Sequence, residues 1–592
     1  MRNRTHHNNE LRIDHVGQTV ELLGWVSKTR NLGGLIFIDL RDRYGITQLV
    51  VNPEKQEEKL VELAESVKNE YVIYAKGTVI ERYNKNKQLP TGDIEVEVEA
   101  LEIISKSETT PLIIADETDA LEETRLKYRY LDLRRPVLQK NIILRSKITH
   151  IIRNFLHDQE FVEIETPILT KSTPEGARDY LVPSRIHPGE FYALPQSPQI
   201  FKQLTMVAGF ERYFQIARCF RDEDLRADRQ PEFTQVDIEM SFVDEQAIQN
   251  LVEEMLVKIM KEIKGIDIKV PFDRLTWYDA MVTYGSDKPD RRFGMELQLV
   301  NNVFENTSFG VFKNTLAAGG DVRAINVKEG ASKYSRKAID QLTDFVKKYG
   351  AKGLAFLKYE NDAFSGPIAK FLSEKEQSGL IERLDVENGD LLLFVADEFI
   401  VTCEALGALR VHIAKEQGLI DDNVFDFLWV VDWPLFEYDE EDGRYYARHH
   451  PFTSPKPESI NQLESNPDQC LASAYDVVLN GYELGGGSIR IHDRELQTRM
   501  FNVLGFTEEE ANERFGFLLN AFRYGTPPHG GIALGLDRLV MILVGAQSIR
   551  DVIAFPKTAS AACLMSDAPS TVEASQLEEL HIQVRPLEKD TE

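Results

Sequence analysis

Cysteine is scarce in this chain. Its four cysteines lie far apart, at Cys219, Cys403, Cys470 and Cys563. Because no two of them form a C-x-x-C pair, the sequence indicates neither a zinc knuckle nor a disulfide framework. We therefore expect a reducing, cytoplasmic setting. Long apolar runs are also missing: no stretch of about 18 apolar residues occurs, and the first residues lack the apolar run of a secretion signal. We expect no membrane span.

Positive charge is in deficit. Lysine and arginine number 69 against 96 aspartates and glutamates, which gives a net charge of −27 at pH 7. A protein coated in basic surface is therefore excluded, although local basic patches can still bind nucleic acid. Two such clusters occur, Lys28 with Arg30 and the basic run between residues 125 and 135. Ion pairs within the protein would explain either cluster equally well.

The length of 592 residues and a hydrophobic content of 42% predict several domains with substantial cores. We predict a multidomain α+β protein in which one domain is split by an insertion, because the residues of the chemical site resume only after a region of different character. The predicted segments are a small barrel (1–106), a hinge or connector (107–140), the two parts of the split domain (141–286 and 428–565), an inserted α+β domain (287–427) and a C-terminal extension (566–592).

The first hundred residues carry five strand-like segments, with a helical segment near 55–69 between the third and the fourth. This order predicts an OB-fold β-barrel, a fold that binds oligonucleotides on one face. Its strands carry Arg30, Phe37 and Gln48, a polar and aromatic set that favours single-stranded bases. A small barrel without a ligand would show the same order of strands.

A predicted hairpin in the first part of the split domain carries a polar face. Alternation places Phe233, Gln235, Asp237 and Glu239 on one side of its returning strand, with apolar residues on the other, and Arg221 ends the first strand. This pattern predicts the floor of a polar pocket laid on a core. A solvated, salt-bridged face is the alternative, but it does not explain the aromatic residue among the polar ones.

The second part of the split domain supplies further polar groups. Asp476 and Glu483 stand seven residues apart, and a small number of oxygen ligands suits Mg²⁺ shared with phosphates. Arg490 alternates with apolar neighbours, so it is expected to face the same polar space. His449 and His450 are neighbours on a predicted strand and are expected to point to opposite sides. We therefore expect only one of the two to line the site.

A second arginine element lies near the end of the split domain. The run Gly535-Leu536-Asp537-Arg538 reads as a strand turning into an apolar helix, with Arg538 in the first helical turn, where anions are favoured. A buried arginine paired with Asp537 is the alternative. Together with Arg221 the element predicts a triphosphate site without a glycine-loop motif. This combination favours amino-acid activation over a kinase, a P-loop ATPase or a dehydrogenase.

At this point the sequence resembles the class II aminoacyl-tRNA synthetases and, within them, the bacterial-type aspartyl enzymes. The resemblance spans essentially the whole chain. It implies an anticodon-binding barrel in front of an antiparallel-sheet catalytic domain that is interrupted by the insertion. The stretches that carry it are the helix and strand ending at Pro167, the hairpin 221–233, the element 535–538, and the segments 172–180, 196–199 and 449–452.

The resemblance implies how ATP would be held. Arg221 would bridge the α-phosphate and the substrate carboxylate, and Arg538 would hold the γ-phosphate; these are the two implied catalytic residues. Phe233 would stack on adenine, and Glu223 would read its amino group. The other implied ATP-site residues are Asp222, Gln230, Glu483, Gly535, Leu536 and Asp537, and the implied Mg²⁺ ligands are Asp476 and Glu483.

The same resemblance implies that L-aspartate is activated to aspartyl-adenylate and then transferred to the 3′-terminal ribose of tRNA(Asp). Arg490 and Lys202 would grip the side-chain carboxylate, supported by His449. The helix from about residue 141 and the strand that follows it would form part of a homodimer, although packing within one subunit would look the same. The other implied amino-acid-site residues are Glu175, Ser197, Gln199, Arg221, Gln235 and Asp237.

In that family the barrel reads the anticodon. Leu32 occupies a position where relatives of relaxed specificity often carry histidine, which favours strict charging of tRNA(Asp). The alternatives are a relaxed enzyme that also charges tRNA(Asn), an asparaginyl-tRNA synthetase, and a non-catalytic protein that keeps the fold as a binding module. The implied anticodon residues are Arg30, Phe37, Gln48, Arg82, Asn86 and Glu95.

Overall fold

The computed structural model describes residues 3–173, 177–225 and 227–585, which form two compact units. The first contains the described residues of 1–145 together with 550–571, and the second those of 146–549 and 572–592. Among the described residues, no helix is both long enough and apolar enough to cross a membrane.

The first unit is built on a closed barrel with the strand order β1-β2-β3-β5-β4, which confirms the predicted OB fold. Inward-facing residues such as Val20, Leu22 and Val26 alternate with partly exposed ones and form the barrel core. The elements are β1 (Thr19–Leu32), β2 (Leu35–Arg41), β3 (Ile46–Val51), α1 (Glu58–Ser66), β4 (Val72–Glu81) and β5 (Ile94–Ser105).

The basic run that follows the barrel is held inside the first unit. Fully buried Asp132 accepts hydrogen bonds from Arg125, Arg129 and Arg135, and Arg129 also donates to three backbone carbonyls of residues 550–554. These arginines therefore serve the packing of the chain rather than an open basic patch. The helices of this region are α2 (Glu122–Lys127), α3 (Arg129–Asp132) and α4 (Pro136–Asp158), the last of which continues into the second unit.

The second unit begins with the first part of the split domain. Helix α4 starts earlier than the predicted residue 141, because Pro136 is well suited to the first turn of a helix. The strand expected to run to Pro167 is limited to two residues. The elements are β6 (Val162–Glu163), β7 (Leu181–Pro183), β8 (Phe191–Ala193), α5 (Gln199–Val207), β9 (Arg212–Phe220), β10 (Glu232–Ser241), α6 (Glu245–Lys264), β11 (Asp273–Thr276) and α7 (Trp277–Tyr284).

The next segment forms its own five-stranded sheet, with both faces covered by helices. Along its central apolar strand, Leu391, Leu393 and Val395 face one core, while Leu392 and Phe394 face the other. The elements are β12 (Gln298–Leu299), α8 (Gly310–Ala317), β13 (Asp321–Val327), α9 (Gly330–Lys333), α10 (Arg336–Lys347), β14 (Ala355–Glu360), β15 (Ala363–Ser365), α11 (Glu374–Leu384), β16 (Leu391–Asp397) and α12 (Phe399–Glu416), in the sheet order β12-β13-β16-β14-β15.

The remaining strands complete an eight-stranded sheet, β11-β17-β20-β21-β22-β10-β9-β6, which is antiparallel except for the pairs β11–β17 and β9–β6. Strands from before and after the insertion therefore share one sheet. Their elements are β17 (Phe427–Pro434), β18 (Phe436–Asp439), β19 (Arg444–Ala447), β20 (Leu471–Leu479), β21 (Tyr482–Ile489), α13 (Arg494–Val503), α14 (Glu508–Ala521), β22 (His529–Gly535), α15 (Leu536–Val544) and α16 (Ala574–Glu579).

Helix α12 crosses the end of α7 at a pair of glycines. Gly285 ends α7 in the left-handed conformation (φ 65°), and a Cβ atom on Gly407 would lie 2.1 Å from the Gly285 carbonyl oxygen. We expect Gly407→Ala to destabilise the protein by about 1–3 kcal/mol through overpacking. Thermal unfolding would show this as a lower Tm.

The matched control is Gly516→Ala, which makes the same change within α14. The nearest atom to a Cβ at that position lies 4.0 Å away, in the same helix. Because alanine has the higher helix propensity, this variant should be unchanged or up to about 1 kcal/mol more stable. Equal Tm values for the two variants would contradict the close-approach argument.

Candidate active site

A cavity of about 630 Å³ lies in the second unit; its wall includes residues of β10, β20, β21 and β22, of α5 and α15, and of the loops beside them. Most of the residues predicted for the nucleotide and the amino acid stand on its wall. They are Ser197, Gln199, Lys202, Arg221, Glu223, Gln230, Phe233, Gln235, Asp237, His449, Asp476, Glu483, Arg490, Gly535, Asp537 and Arg538.

Two predicted residues do not line this cavity. Asp222 forms a β-bridge with Arg178, whose carbonyl accepts the Asp222 N–H at 3.1 Å. Leu536 opens α15 with a buried side chain that belongs to the core. Both are neighbours of true wall residues within a short motif, and the turn of the chain directs their side chains elsewhere. The predicted Glu175 lies outside the described residues.

Arg490 is anchored on every side at the closed end of the cavity. Its Nε and Nη2 donate to the two oxygens of Glu239 at 3.0 and 3.1 Å. Its Nη1 donates to His450 Nε2 at 2.7 Å and to Ser488 Oγ at 2.5 Å. Burial, and then the charge of Arg490, hold the pKa of His450 well below 6.5, so the ring is neutral and can accept this hydrogen bond.

Lys202 completes a buried set of two cations and two anions. Its Nζ lies 2.7 Å from Asp237 Oδ1 and 3.2 Å from Glu239 Oε2. Burial raises the pKa of Asp237 despite the opposing charge of Lys202. Burial acts in the same direction on Glu239, but Arg490 and Lys202 together outweigh it and lower that pKa. Such charges are tolerated in the interior because each is paired and hydrogen-bonded.

Three residues of this end were not assigned a role from the sequence: Glu239, Ser488 and His450. Glu239 lies two residues after Asp237, on the same polar face of β10, and Ser488 lies two residues before Arg490. Because side chains two residues apart on a strand share a face, the sequence could have pointed to both. The expectation for the two histidines is wrong. His449 and His450 lie in the loop after β19 rather than on a strand, and both line the cavity, because alternation applies only within a strand.

The other end of the cavity carries the two arginine elements. The guanidinium of Arg221 lies 5.2 Å from the centre of the Phe233 ring, and its buried Nε has no hydrogen-bond partner within the described part of the chain. Arg538 donates through Nη1 to the carbonyl of Glu483 and through Nη2 to Asp228 at 3.2 Å. Both cations thus stand at the wall with donors able to meet phosphate oxygens.

The carboxylates Asp476 of β20 and Glu483 of β21 also stand on the wall of the cavity. Burial raises the pKa of Asp476 to about 6; the charge of Glu483 adds to the rise and His449 opposes it. His449 Nε2 is 3.7 Å from Asp476 Oδ1, too long for a hydrogen bond, and this buried oxygen has no other partner among the described residues. The described chain contains no group of three or more residues able to hold a metal by themselves. Two carboxylates fit Mg²⁺ that is also held by phosphates.

In the first unit, four of the predicted anticodon residues meet. The side chain of Gln48 joins Arg30, Arg82 and Glu95 through hydrogen bonds of 2.6–3.1 Å. Phe37 lies half-buried on β2, the strand next to Arg30. Asn86 stands apart, in the loop between β4 and β5, where its side chain accepts the Gln88 N–H.

Comparison with known proteins decides what these sites belong to. The sequence model of the family described as tRNA synthetases class II (D, K and N) matches residues 121–559, and that of the OB-fold nucleic acid binding domain matches residues 20–104. The chain belongs to the class II tRNA synthetases. This confirms the predicted resemblance, and it means that the chain uses ATP, an amino acid and tRNA.

Relatives of this synthetase support the same placement. It is 62% identical to the "Aspartate--tRNA(Asp/Asn) ligase" of Geobacillus sp. (strain WCH70), over 99% of both chains. Proteins of the same name from Bacillus cytotoxicus and Anoxybacillus flavithermus are each 60% identical, again over 99% of both chains.

Two solved structures share the fold. One is the asparaginyl-tRNA synthetase from Pyrococcus horikoshii complexed with asparaginyl-adenylate (TM-score 0.58, 19% identity, 94% of this chain and 99% of that chain). The other is a putative aspartyl-tRNA synthetase from Leishmania major Friedlin (TM-score 0.57, 20% identity, 92% of each chain). At these identities the likeness concerns the fold alone.

The raised pKa of Asp476 makes the stability of the synthetase depend on pH. Between the ordinary value of 3.8 and about 6, the folded state binds more protons than the unfolded state, so stability falls as the pH rises through this range. Asparagine cannot ionise. Asp476→Asn should therefore stabilise the protein by up to about 3 kcal/mol above pH 7, and much less at pH 4.

This prediction is tested by thermal unfolding from pH 4 to pH 8 without nucleotide and with a chelator. The control is Asp267→Asn, where the side chain is 80% exposed. The Tm difference between Asp476→Asn and the parent should grow with pH. The Tm difference between Asp267→Asn and the parent should not change with pH. A difference that does not change with pH would contradict the assigned shift.

Proposed function

We propose that this synthetase is an aspartate–tRNA ligase. It activates L-aspartate with ATP to aspartyl-adenylate and pyrophosphate, and then transfers the aspartyl group to the 3′-terminal ribose of tRNA(Asp). The observation that carries the proposal is the buried pair of cations, Lys202 and Arg490, at the closed end of the cavity. The names of the relatives at about 60% identity agree with it.

The amino-acid end explains the choice of aspartate. Arg490 already binds Glu239 in a planar, bidentate way, so its Nη1 is the atom proposed to meet a substrate carboxylate, and Lys202 adds a second positive charge nearby. The Nη1 of Arg490 is held only by the neutral acceptors Ser488 and His450, so a substrate carboxylate can take their place more easily than it can displace Glu239. The neutral amide of asparagine does not call for two cations.

The ammonium group of the substrate requires acceptors on the neighbouring wall. Asp237 offers a buried Oδ2 without a hydrogen-bond partner among the described residues. This carboxylate is the acceptor that we favour for the ammonium group, because an ionised oxygen forms the stronger hydrogen bond. The other residues that we propose for this part of the site are Ser197, Gln199, Gln235 and, from the resemblance, Glu175.

The activation step needs positioning rather than a general base. The α-carboxylate of aspartate is already ionised near neutral pH and can attack the α-phosphorus directly. Arg221 would neutralise charge at the α-phosphate and Arg538 at the γ-phosphate, while Phe233 would stack on adenine and Glu223 would contact its amino group. Asp476 and Glu483 would hold Mg²⁺, which when bound supplies further neutralisation of phosphate charge.

The remaining features of the proposal concern assembly and setting. Val162, Ile168 and Leu169 expose between 42% and 52% of their surface just after α4, and we propose that this apolar face joins two copies in a homodimer. We also retain the six predicted segments, 1–106, 107–140, 141–286, 287–427, 428–565 and 566–592, as the domain division. The cytoplasm, where tRNA and ATP are available, is the proposed location.

A second candidate function is charging of tRNA(Asn) by the same enzyme. Strict charging was favoured by Leu32, which is 62% exposed at the end of β1. The three relatives described above, however, carry names that include both tRNAs. We therefore expect purified tRNA(Asp) and tRNA(Asn) both to accept aspartate. Charging of tRNA(Asp) alone would restore the strict alternative.

We expect Arg490→Leu to abolish aspartate activation, because it removes the guanidinium whose Nη1 is proposed to meet the substrate carboxylate. Aspartate-dependent ATP–pyrophosphate exchange should fall by roughly 100-fold or more, while binding of ATP, measured by calorimetry, remains. Arg490→Lys keeps the charge beside Glu239 and should raise the KM for aspartate with less effect on folding.

The control for Arg490→Leu is Arg499→Leu. Arg499 lies on α13 and pairs with Glu464 at the surface, away from the cavity. Its exchange activity should equal that of the parent. Normal exchange in Arg490→Leu would exclude Arg490 as the carboxylate-binding residue.

We expect Phe37→Ala to reduce charging of tRNA by roughly 5- to 100-fold, because base–aromatic stacking contributes about 1–3 kcal/mol. ATP–pyrophosphate exchange without tRNA should not change. Ile104→Ala is the control, since Ile104 is half exposed and lies away from Phe37. Phe37 pairs with Val50, Val50 pairs with Glu97 of β5, and Ile104 lies seven residues further along that strand. An equal loss of exchange and charging would mean that the barrel is not a separate recognition module.

A further inference from the structure

The carboxylate of Asp39 lies among the proposed anticodon residues of the barrel, although Asp39 is not one of the residues predicted from the sequence. Gln48 is the centre of this cluster: its Oε1 accepts from Arg30 at 3.1 Å and from Arg82 at 2.8 Å, and its Nε2 donates to Glu95 at 2.6 Å. The amide is therefore fixed at both ends. Asp39 adds a fourth contact, by accepting from Arg30 Nη2 at 2.7 Å.

The strand register explains this contact. Asp39 is the direct partner of Gln48 between β2 and β3, and Arg30 is the partner of Phe37 between β1 and β2. Since Phe37 and Asp39 are two residues apart on one strand, their side chains leave the same face of the barrel. Arg30 crosses diagonally from its place opposite Phe37 to reach both Asp39 and Gln48.

Asp39 is the less exposed member of its pair with Arg30. Its side chain is 18% exposed, against 34% for that of Arg30. An arriving base therefore has readier access to the arginine than to the carboxylate. Asp39 is placed to act through Arg30 rather than by touching RNA.

We propose that Asp39 is a positioning residue for anticodon recognition, holding the Arg30 guanidinium beside Phe37 so that its remaining N–H groups face a single-stranded base stacked on that ring. The proposal rests on the proposed function of the barrel. The physical gain is that the arginine side chain, which has many rotamers when free, is ordered before the RNA arrives.

The negative charge of Asp39 is unexpected on a face that is proposed to bind RNA. A negative charge on a face that binds RNA repels phosphates, so a site selected for charge alone would omit it. The charges that face Asp39 are those of Lys28, Arg30 and Arg82. Burial raises the pKa of Asp39, and these three cations oppose that rise. The carboxylate is thus kept in a costly place, where its hydrogen bond to Arg30 is the observed compensation.

Asp39 could contribute only its charge or could position Arg30, and the two roles predict opposite effects of Asp39→Asn on the charging of tRNA. If the residue contributes only charge, the variant gains a positive increment on the RNA-binding face and charges tRNA better. If it positions Arg30, kcat/KM for charging tRNA(Asp) falls roughly tenfold, because a hydrogen bond to a charged group is weakened. We expect the second result. We also expect the variant to discriminate less than the parent protein between tRNA(Asp) and a transcript altered at one anticodon base.

A double-mutant cycle identifies Arg30 as the residue through which Asp39 acts. In the Arg30→Ala background, Asp39→Asn should change charging by less than about twofold, because the partner it positions is already gone. Asp14→Asn is the matched control: Asp14 is exposed and precedes β1, and its loss changes the net charge by the same amount. ATP–pyrophosphate exchange should be equal in all these variants.

Three outcomes would overturn the proposal. They are charging by Asp39→Asn at or above the parent level, the same fractional loss with and without Arg30, or an equal loss on every anticodon accompanied by a lower Tm, which marks a purely structural role. Failure of the proposed function gives a different pattern, in which the parent does not charge tRNA(Asp) or Phe37→Ala leaves charging intact. The full-length protein is used throughout.

Discussion

The ion pair between Arg490 and Glu239 is the interaction on which the amino-acid end of the cavity depends. Glu239 belongs to β10 and Arg490 follows β21, and β22 runs between them in the sheet. The pair can span that strand because Gly531 lies directly beneath it; a Cβ there would be 2.0 Å from Glu239 Oε2. Three strands are therefore held in one geometry by a charged group that we propose also meets the substrate.

The two ends of the cavity differ in how their charged groups are paired. The buried set of Lys202, Asp237, Glu239 and Arg490 is balanced in charge, so the interior tolerates it before any substrate arrives. Towards the nucleotide end, Arg221 and Asp476 keep polar atoms that lack partners among the described residues. Groups of that kind are costly to leave unpaired, and a ligand that satisfies them is bound more strongly.

Much of this site could be predicted from alternation along strands and from short motifs. Phe233, Asp237 and Arg490 follow a period of two, and each of them reaches the cavity wall. The rule failed where the chain leaves a strand: His449 and His450 lie in a loop, and both line the cavity.

Contacts that join distant strands were beyond prediction from the sequence. Asp39 and Glu239 act through arginines, and their partners become visible only when the register of the sheets is known. The basic run near residue 129 has the composition of a nucleic-acid patch, yet buried Asp132 pairs with it. The assigned roles of the wall residues remain predictions, since geometry alone brings them together without testing them.

The pairing of β10 with β22 has a consequence for the making of the enzyme. Gln235 pairs with Gly535, 300 positions later in the chain. During synthesis at about 5–20 residues per second, some 15–60 s pass between the appearance of one strand and that of its partner. In that interval β10 presents an unpaired edge, while the barrel already has all its strands and the inserted sheet gains its own. The barrel therefore has all its strands long before the eight-stranded sheet that carries the cavity.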